Sequence, residues 1–185
     1  MTRPCFLPFT CILLAAYQSK SLDTLFPINI REMTITDLDR VVELDRISFS
    51  LPWPESSFRF ELLENPSSRC YVAETLIQPV KLLGMIVTWL IIDEVHIATF
   101  AVDPTYRRQG IARRLLAHTL IEGARSGGQK AFLEVRKGNL AARALYSSFG
   151  FEEVGIRKKY YQDNGEDAVM MNLEVLKIEA LESCL

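Results

Sequence analysis

From Ile28 onward the apolar positions recur at two spacings, one strand-like and one helix-like, and the spacing assigns each segment. Ile28 to Glu32 alternates apolar and polar residues as a short strand does. Thr36-Asp37-Leu38 then opens a helical pattern, with Leu38, Val41, Val42, Leu44 and Ile47 at helix-like spacings. Ser50-Leu51-Pro52-Trp53-Pro54 interrupts it, and Glu55 to Glu64 reads as a second short helix stopped by Asn65-Pro66. Strands follow at Arg69–Glu74, Leu82–Ile91 and Glu94–Val102, and the Ile92-Asp93 step between the last two predicts a tight antiparallel turn. Asp103-Pro104 closes that group. Gly110 to Arg125 is a long helix with an apolar stripe of Ile111, Leu115, Leu116, Thr119 and Leu120, stopped by Ser126-Gly127-Gly128. Lys130–Arg136 reads as a strand and Asn139–Phe149 as a helix, with Gly150 as a left-handed stop. Phe151–Ile156 and Ala168–Val175 are the last strands, joined by a polar loop containing Asn164-Gly165.

That order, β-α-α-β-β-β-α-β-α-β-β, predicts a mixed α/β domain: one mixed sheet with helices on both faces. The Glu94–Arg136 unit should be a right-handed parallel crossover. The domain is expected over residues 28–176, with an extension at 1–27 and a tail at 177–185. Phe6 to Ala16 is apolar behind a single Arg3, but Pro8 interrupts it and it is far short of the ~20 residues a spanning helix needs. The A-x-A cleavage pattern of a signal peptide is missing around Ala15 and Ala16, so the extension is expected to be poorly ordered chain.

Composition narrows the class further. With 185 residues, 49% hydrophobic and 24% charged, the chain is globular and holds a full core without disulfides or metals. Its 21 Lys and Arg against 23 Asp and Glu leave a net charge of −2, which does not call for a nucleic acid. Cys5, Cys11, Cys70 and Cys184 are scattered, with no zinc or redox spacing. The expectation is a reduced, cytoplasmic protein, monomer or weak dimer, with no direct nucleic-acid or membrane partner.

Two segments carry candidate chemistry. Val102-Asp103-Pro104-Thr105-Tyr106-Arg107-Arg108-Gln109-Gly110-Ile111-Ala112-Arg113-Arg114 joins a strand to a helix. Gly110 permits a bend where the helix begins, and Ala112 leaves room for a ligand against free amides and the positive dipole end. Four arginines at a helix start are disfavoured by roughly 0.3–1 kcal/mol each unless a polyanion reverses the penalty; a solvated basic face is the other reading. The second segment, Ala131-Phe132-Leu133-Glu134-Val135, is an apolar strand with one carboxylate, which must be hydrogen-bonded, hydrated or protonated. Either Glu134 is a working acid–base group or it sits in an ion pair with Arg136 or Arg143. Asn139 stands where a helix cap belongs. Tyr146 follows two turns later on the same face, ~10 Å along, where an aromatic also fits a core. His96 and His118 lack partners at metal-ligand spacing and read as structural, and Cys70 as a small buried hydrophobe.

Arg107-Arg108-Gln109-Gly110-Ile111-Ala112 resembles the R/Q-x-x-G-x-G/A signature of the GNAT N-acetyltransferases, and everything from Ile28 to Val175 matches that family's element order. With Leu133-Glu134-Val135-Arg136-Lys137-Gly138-Asn139, the resemblance is to the RimI type, the ribosomal protein alanine N-acetyltransferases, and less closely to the eukaryotic N-terminal acetyltransferases. It implies a GNAT fold with a seven-stranded, mostly antiparallel sheet, and acetyl-CoA as co-substrate without a metal. It also implies that Phe100, Ala101 and Val102 hold the acetyl and pantetheine arm. Arg108, Gln109, Gly110, Ile111, Ala112 and Arg113 wrap the pyrophosphate, and Asn139 hydrogen-bonds the cofactor. Ala112 stands where many relatives have a second glycine. Glu134 becomes the general base and Tyr146 the partner of the leaving sulfur.

Tyr160-Tyr161 followed by Gly165-Glu166-Asp167 resembles the segment that closes over a substrate N-terminus in these enzymes, and Trp53 the opposite lip of the cleft. The implied partner is a protein N-terminus, foremost the N-terminal alanine of small-subunit ribosomal protein S-eighteen. Broader N-termini, lysines or small amines are alternative acceptors, and a non-catalytic acyl-CoA binding module is a further alternative. An α-amine of pKa near 7.7–8.0 is about one-fifth neutral near pH 7.2, against under ~0.1% of a lysine, so its base has a small task. An ordinary Glu near pKa 4.3 is still a poor acceptor, so either burial raises Glu134 or water relays the proton. No acyl-cysteine stands near the cofactor motif, which favours direct transfer.

Overall fold

The computed structural model describes residues 26–183. Among the described residues, seven strands form one sheet in the order β1-β2-β3-β4-β5-β7-β6. They are β1 (Ile28–Glu32), β2 (Ser68–Thr75), β3 (Leu82–Ile91), β4 (Glu94–Val102), β5 (Lys130–Arg136), β6 (Glu152–Arg157) and β7 (Ala168–Leu173). All pairs are antiparallel except β4–β5. Helices α1 (Leu38–Ser48) and α2 (Glu55–Leu63) cover one face; α3 (Ile111–Arg125) and α4 (Leu140–Ser147) cover the other.

Side-chain alternation divides the core accordingly. On β3, Ile86 joins Leu115, Leu116, Leu120, Leu133 and Met171 beneath α3, while Met85 and Val87 join Val41, Leu44 and Phe58 beneath α1 and α2. Gly123 lets α3 approach the sheet: a Cβ there would lie 2.7 Å from Val95 Cγ2. Before α1, Asp37 accepts from Thr34 N at 2.8 Å and pairs with Arg31 at 2.7 Å, which also reaches Glu74 at 2.8 Å.

The structure departs from the periodicity in several places. Strand β6 begins at Glu152, because Phe151 leaves the ladder to fill the core, and β7 ends at Leu173. Ile47 lies in the last turn of α1, on the side of the helix opposite Leu38, and is 44% exposed. Residues expected to form a tail instead carry a short helix, α5 (Ile178–Glu182), whose Leu181 is 2% exposed in the core beneath α3. Ahead of β1, the Phe26 carbonyl accepts from Arg114 at 2.7 Å and its ring meets Tyr106 edge-on at 5.8 Å. Residues 1–25 of the extension, with the apolar run, lie outside the described residues.

The sheet is divided at its parallel pair. Strands β4 and β5 are in register only from Glu94/Lys130 to Ile97/Leu133. There β4 carries a bulge, since Val87 faces Thr99 and Thr88 faces Ile97, leaving Ala98 without an opposite residue. Beyond it β4 continues along β3 to Val102, and β5 continues along β7 to Arg136. A bulge bends its strand and ends local pairing. The result is a wedge between the strands.

Candidate active site

At one mouth of the wedge the chain turns from β4 into α3. Asp103 starts a 3-10 turn by accepting from Thr105 N at 2.9 Å and Thr105 Oγ1 at 2.7 Å. Arg108 and Gly110 both take left-handed conformations, φ 63° and 76°, and the helix follows at once. Arg114 N bonds the Gly110 carbonyl at 3.1 Å, so the Ile111, Ala112 and Arg113 amides precede the first intrahelical bond. Those amides suit an anion.

The arginine cluster splits on inspection. Arg114 ties down the carbonyls of Phe26 at 2.7 Å and Ile28 at 3.2 Å, and Arg107 Nε donates to Val102 O at 3.2 Å; both brace the chain. Arg113 reaches Ser148 Oγ at 3.0 Å and sits 5.5 Å from the Phe149 ring centroid. Arg108 is exposed and, among the described residues, makes no hydrogen bond or ion pair. Gln109 and Ala112 are partly exposed beside it, whereas Ile111 is buried. The donor set fits a polyphosphate: orphan amides, a helix dipole and one uncommitted guanidinium.

Phe100, Ala101 and Val102 line the β4 side of the wedge, paired to Ile86, Met85 and Gly84 on β3 and to no residue of β5. Glu134 lies across from them on β5. It is not buried: the side chain is 33% exposed, between buried Leu133 and Val135. Its ion-pair partner is Arg157 of β6 at 3.3 Å, not Arg136 or Arg143, because β7 and β6 bring Arg157 alongside. Arg143 pairs with Glu153, and Asn139 caps α4 by accepting from Ala142 N at 3.1 Å.

Tyr146, on α4, is 7% exposed, with its ring 5.8 Å from Phe151. Burial holds its phenol well above the ordinary tyrosine value, and neighbouring Tyr161 adds to the shift. Burial also pushes Tyr161 up to about 12; the Arg136 charge opposes this, while Tyr160, Glu134 and Glu166 reinforce it. Tyr161 thus lies within electrostatic reach of both Tyr146 and Glu134, although the three come from α4, the β6–β7 loop and β5.

Two loops flank the cleft. Trp53 packs on Phe58 at 5.3 Å, and its amide donates to Asp45 Oδ2 at 2.7 Å. Asp45 is fully buried in α1, where burial raises its carboxyl above the usual range. On the other side Tyr160 is 43% exposed and meets Tyr161 edge-on at 5.2 Å. The Gly165-Glu166-Asp167 segment anchors this loop: Glu166 accepts from Gly138 N at 2.7 Å and Asp167 from Lys159 N at 3.0 Å. Sequence reasoning passed over Asp45, and treated Arg136 only as a partner for Glu134. Arg136 in fact binds Asp163 at 2.8 Å and Glu166 at 3.1 Å, partners that no local spacing reveals. His96 stacks on Phe132 at 5.2 Å and His118 meets Tyr71 at 5.0 Å, as structural histidines do.

A sheet split at one parallel pair, with an anion-suited helix start at the mouth of the split, is the architecture of an N-acetyltransferase. Residues 38–151 match the model of the acetyltransferase (GNAT) family, and the chain belongs to that family. It is 38% identical over 142 residues to the putative ribosomal protein bS18-alanine N-acetyltransferase of Bacillus subtilis, covering 77% of this chain and 92% of the relative. It is 37% identical over 148 residues to the ribosomal protein bS18-alanine N-acetyltransferase of Escherichia coli, covering 79% and 97%. A crystal structure of the ribosomal-protein alanine N-acetyltransferase from Escherichia coli superposes with a TM-score of 0.72 at 34% identity, over 81% of this chain and 95% of that one. Arabidopsis thaliana NAA60, solved with acetyl-CoA, shares the fold at a TM-score of 0.73 and 19% identity, over 79% and 97%.

Proposed function

We propose that this protein transfers an acetyl group from acetyl-CoA to a protein N-terminal amine, with the N-terminal alanine of ribosomal protein bS18 as the acceptor. The observation that carries this reading is the match to bS18-alanine N-acetyltransferases over more than nine-tenths of their length.

Acetyl-CoA supplies an activated thioester. The Ile111, Ala112 and Arg113 amides, with Arg108 and Gln109, bind its pyrophosphate, and the open side of Phe100–Val102 takes the arm. Asn139 keeps its amide nitrogen for the cofactor while its oxygen caps α4. Trp53, Tyr160 and Tyr161 orient the acceptor so that its amine reaches the wedge between β4 and β5. Glu134, open to solvent, draws one proton from the ammonium through a water; the freed amine forms the C–N bond as the C–S bond breaks, and its second proton passes through solvent to the departing thiolate. Tyr146 keeps its proton at neutral pH and donates a hydrogen bond from its hydroxyl to the leaving sulfur. Transfer is direct, and the setting is cytoplasmic.

The test is incubation with acetyl-CoA and peptides beginning Ala-Arg or Ala-Tyr, beside internal-lysine and polyamine controls, read by mass spectrometry. N-terminal acetylation of the alanine peptides is expected. Modification of lysines or polyamines instead would overturn the reading.

A further inference from the structure

We infer that Arg136 is a latch between the two lips of the acceptor cleft, and thereby a positioning residue that admits a free chain end in preference to an internal lysine. This inference rests on the acceptor being a protein N-terminus. Arg136 closes β5 on the same face as Glu134, two residues beyond it, or roughly 6.5 Å along the strand. Its Nη2 donates to Asp163 Oδ2 at 2.8 Å in the β6–β7 loop and to Ser50 Oγ at 3.1 Å in the α1–α2 loop. The Ser50 hydroxyl donates to the same Asp163 oxygen, so the three side chains form a closed triangle spanning both lips. Its Nη1 meanwhile donates to Glu166 Oε2 at 3.1 Å and Asn164 Oδ1 at 3.2 Å.

The guanidinium also lies 3.9 Å from the centroid of the Tyr161 ring. One side chain therefore fixes the acceptor tyrosine and bridges the cleft above Glu134. With the Arg136 side chain only 23% exposed and two carboxylates engaged, this network is less screened than an ordinary surface pair. A lysine cannot replace it, since one ammonium lacks the planar fork that reaches several acceptors and stacks on a ring. A chain end passes under such a bridge with one flank of polypeptide. A lysine within a chain must bring two flanks, and the joined lips oppose the second.

Arg136→Gln, Arg136→Lys and Ser50→Ala test the latch. Hydrogen exchange on the acceptor-free protein reads the lips without reference to activity. Arg136→Gln should speed exchange in both 49–54 and 158–167 while β5 and α3 stay protected, and Arg136→Lys should restore this only in part. In kinetics, Arg136→Gln should raise the peptide KM about tenfold, the equivalent of one charge-assisted hydrogen bond. The acetyl-CoA KM should hold, and the ratio of internal-lysine to N-terminal acetylation should rise. Ser50→Ala removes only the hydroxyl strut, so it carries the test if Arg136→Gln misfolds: exchange should rise in 49–54 and the lysine ratio should move in the same direction. The latch is overturned if exchange rises in 158–167 alone, or if neither variant shifts the peptide KM or the lysine ratio. Failure of the wild type to acetylate any N-terminal peptide would instead sink the proposed function, and the exchange result would still decide whether the lips are latched.

Discussion

Glu134→Gln removes the carboxylate while keeping its shape, and the structure separates its effect on stability from its effect on chemistry. The only ion pair lost among the described residues is that to Arg157, 3.3 Å long, with side chains 33% and 53% exposed. Exposed pairs contribute about 0–1 kcal/mol, which in a domain of this size moves Tm by no more than about 4 °C. Loss of general-base catalysis costs roughly 10²–10⁴ in turnover, or about 2.7–5.4 kcal/mol in the barrier. The kinetic loss should therefore exceed the stability loss several-fold. Arg157→Ala is the control that breaks the same pair and keeps the carboxylate, and since it also removes the guanidinium 5.6 Å from the Tyr160 ring centroid, its kcat rather than its peptide KM is the term to compare. Initial rates of CoA release with an alanine peptide, beside thermal melts, should show both variants melting alike. Glu134→Gln should lose at least about a hundredfold in kcat, and Arg157→Ala less than about tenfold. Equal losses of activity in the two variants would mean that Glu134 acts only by holding β5 to β6.

Gly110→Val places a branched side chain at φ 76°, a left-handed conformation costing roughly 1–2 kcal/mol for an ordinary L-residue and more for a β-branched one. The acetyl-CoA KM should rise, whereas Arg108→Ala should weaken CoA binding less, more so at low salt, and leave pantetheine binding unchanged in calorimetry. Equal weakening of CoA and pantetheine would remove Arg108 from the pyrophosphate. Arg31 holds Asp37 and Glu74 below their ordinary carboxylate values through hydrogen bonds. A depressed folded-state value stabilises above the unfolded pKa of about 4 and is lost as pH falls through the folded value. Arg31→Gln should be less stable at pH 7, with a shallower acid limb in urea melts; parallel wild-type and variant curves would refute this. Deleting residues 1–25 should leave melting and kcat intact, whereas extending the deletion through Phe26 removes the carbonyl that holds Arg114 and should lower Tm.

Strands β3, β4 and β5 and the caps Gly110 and Asn139 were legible from the sequence because each depends on residues within one turn or one pleat. A glycine at a left-handed helix start and an asparagine that caps its own helix need no distant partner. The short α5 was not legible: five residues cannot sustain a helix by propensity, and packing of Leu181 beneath α3 supplies what the local sequence lacks. The bulge at Ala98 had no signal either, since no glycine marks it and it arises where β4 must follow β3 while β5 follows β7. The same holds for charge. Glu134 and Arg136 stand two apart on one face and invite pairing in the sequence, yet each turns to a different neighbour. Glu134 meets Arg157 across β7, and Arg136 meets Ser50 and Asp163, 86 and 27 residues away. Periodicity and caps act over a few bonds, so the sequence by itself determined the elements and the anion-suited turn. An ion pair goes to whichever charges the sheet order and loop closure bring within a few ångströms, and only the tertiary structure decided that.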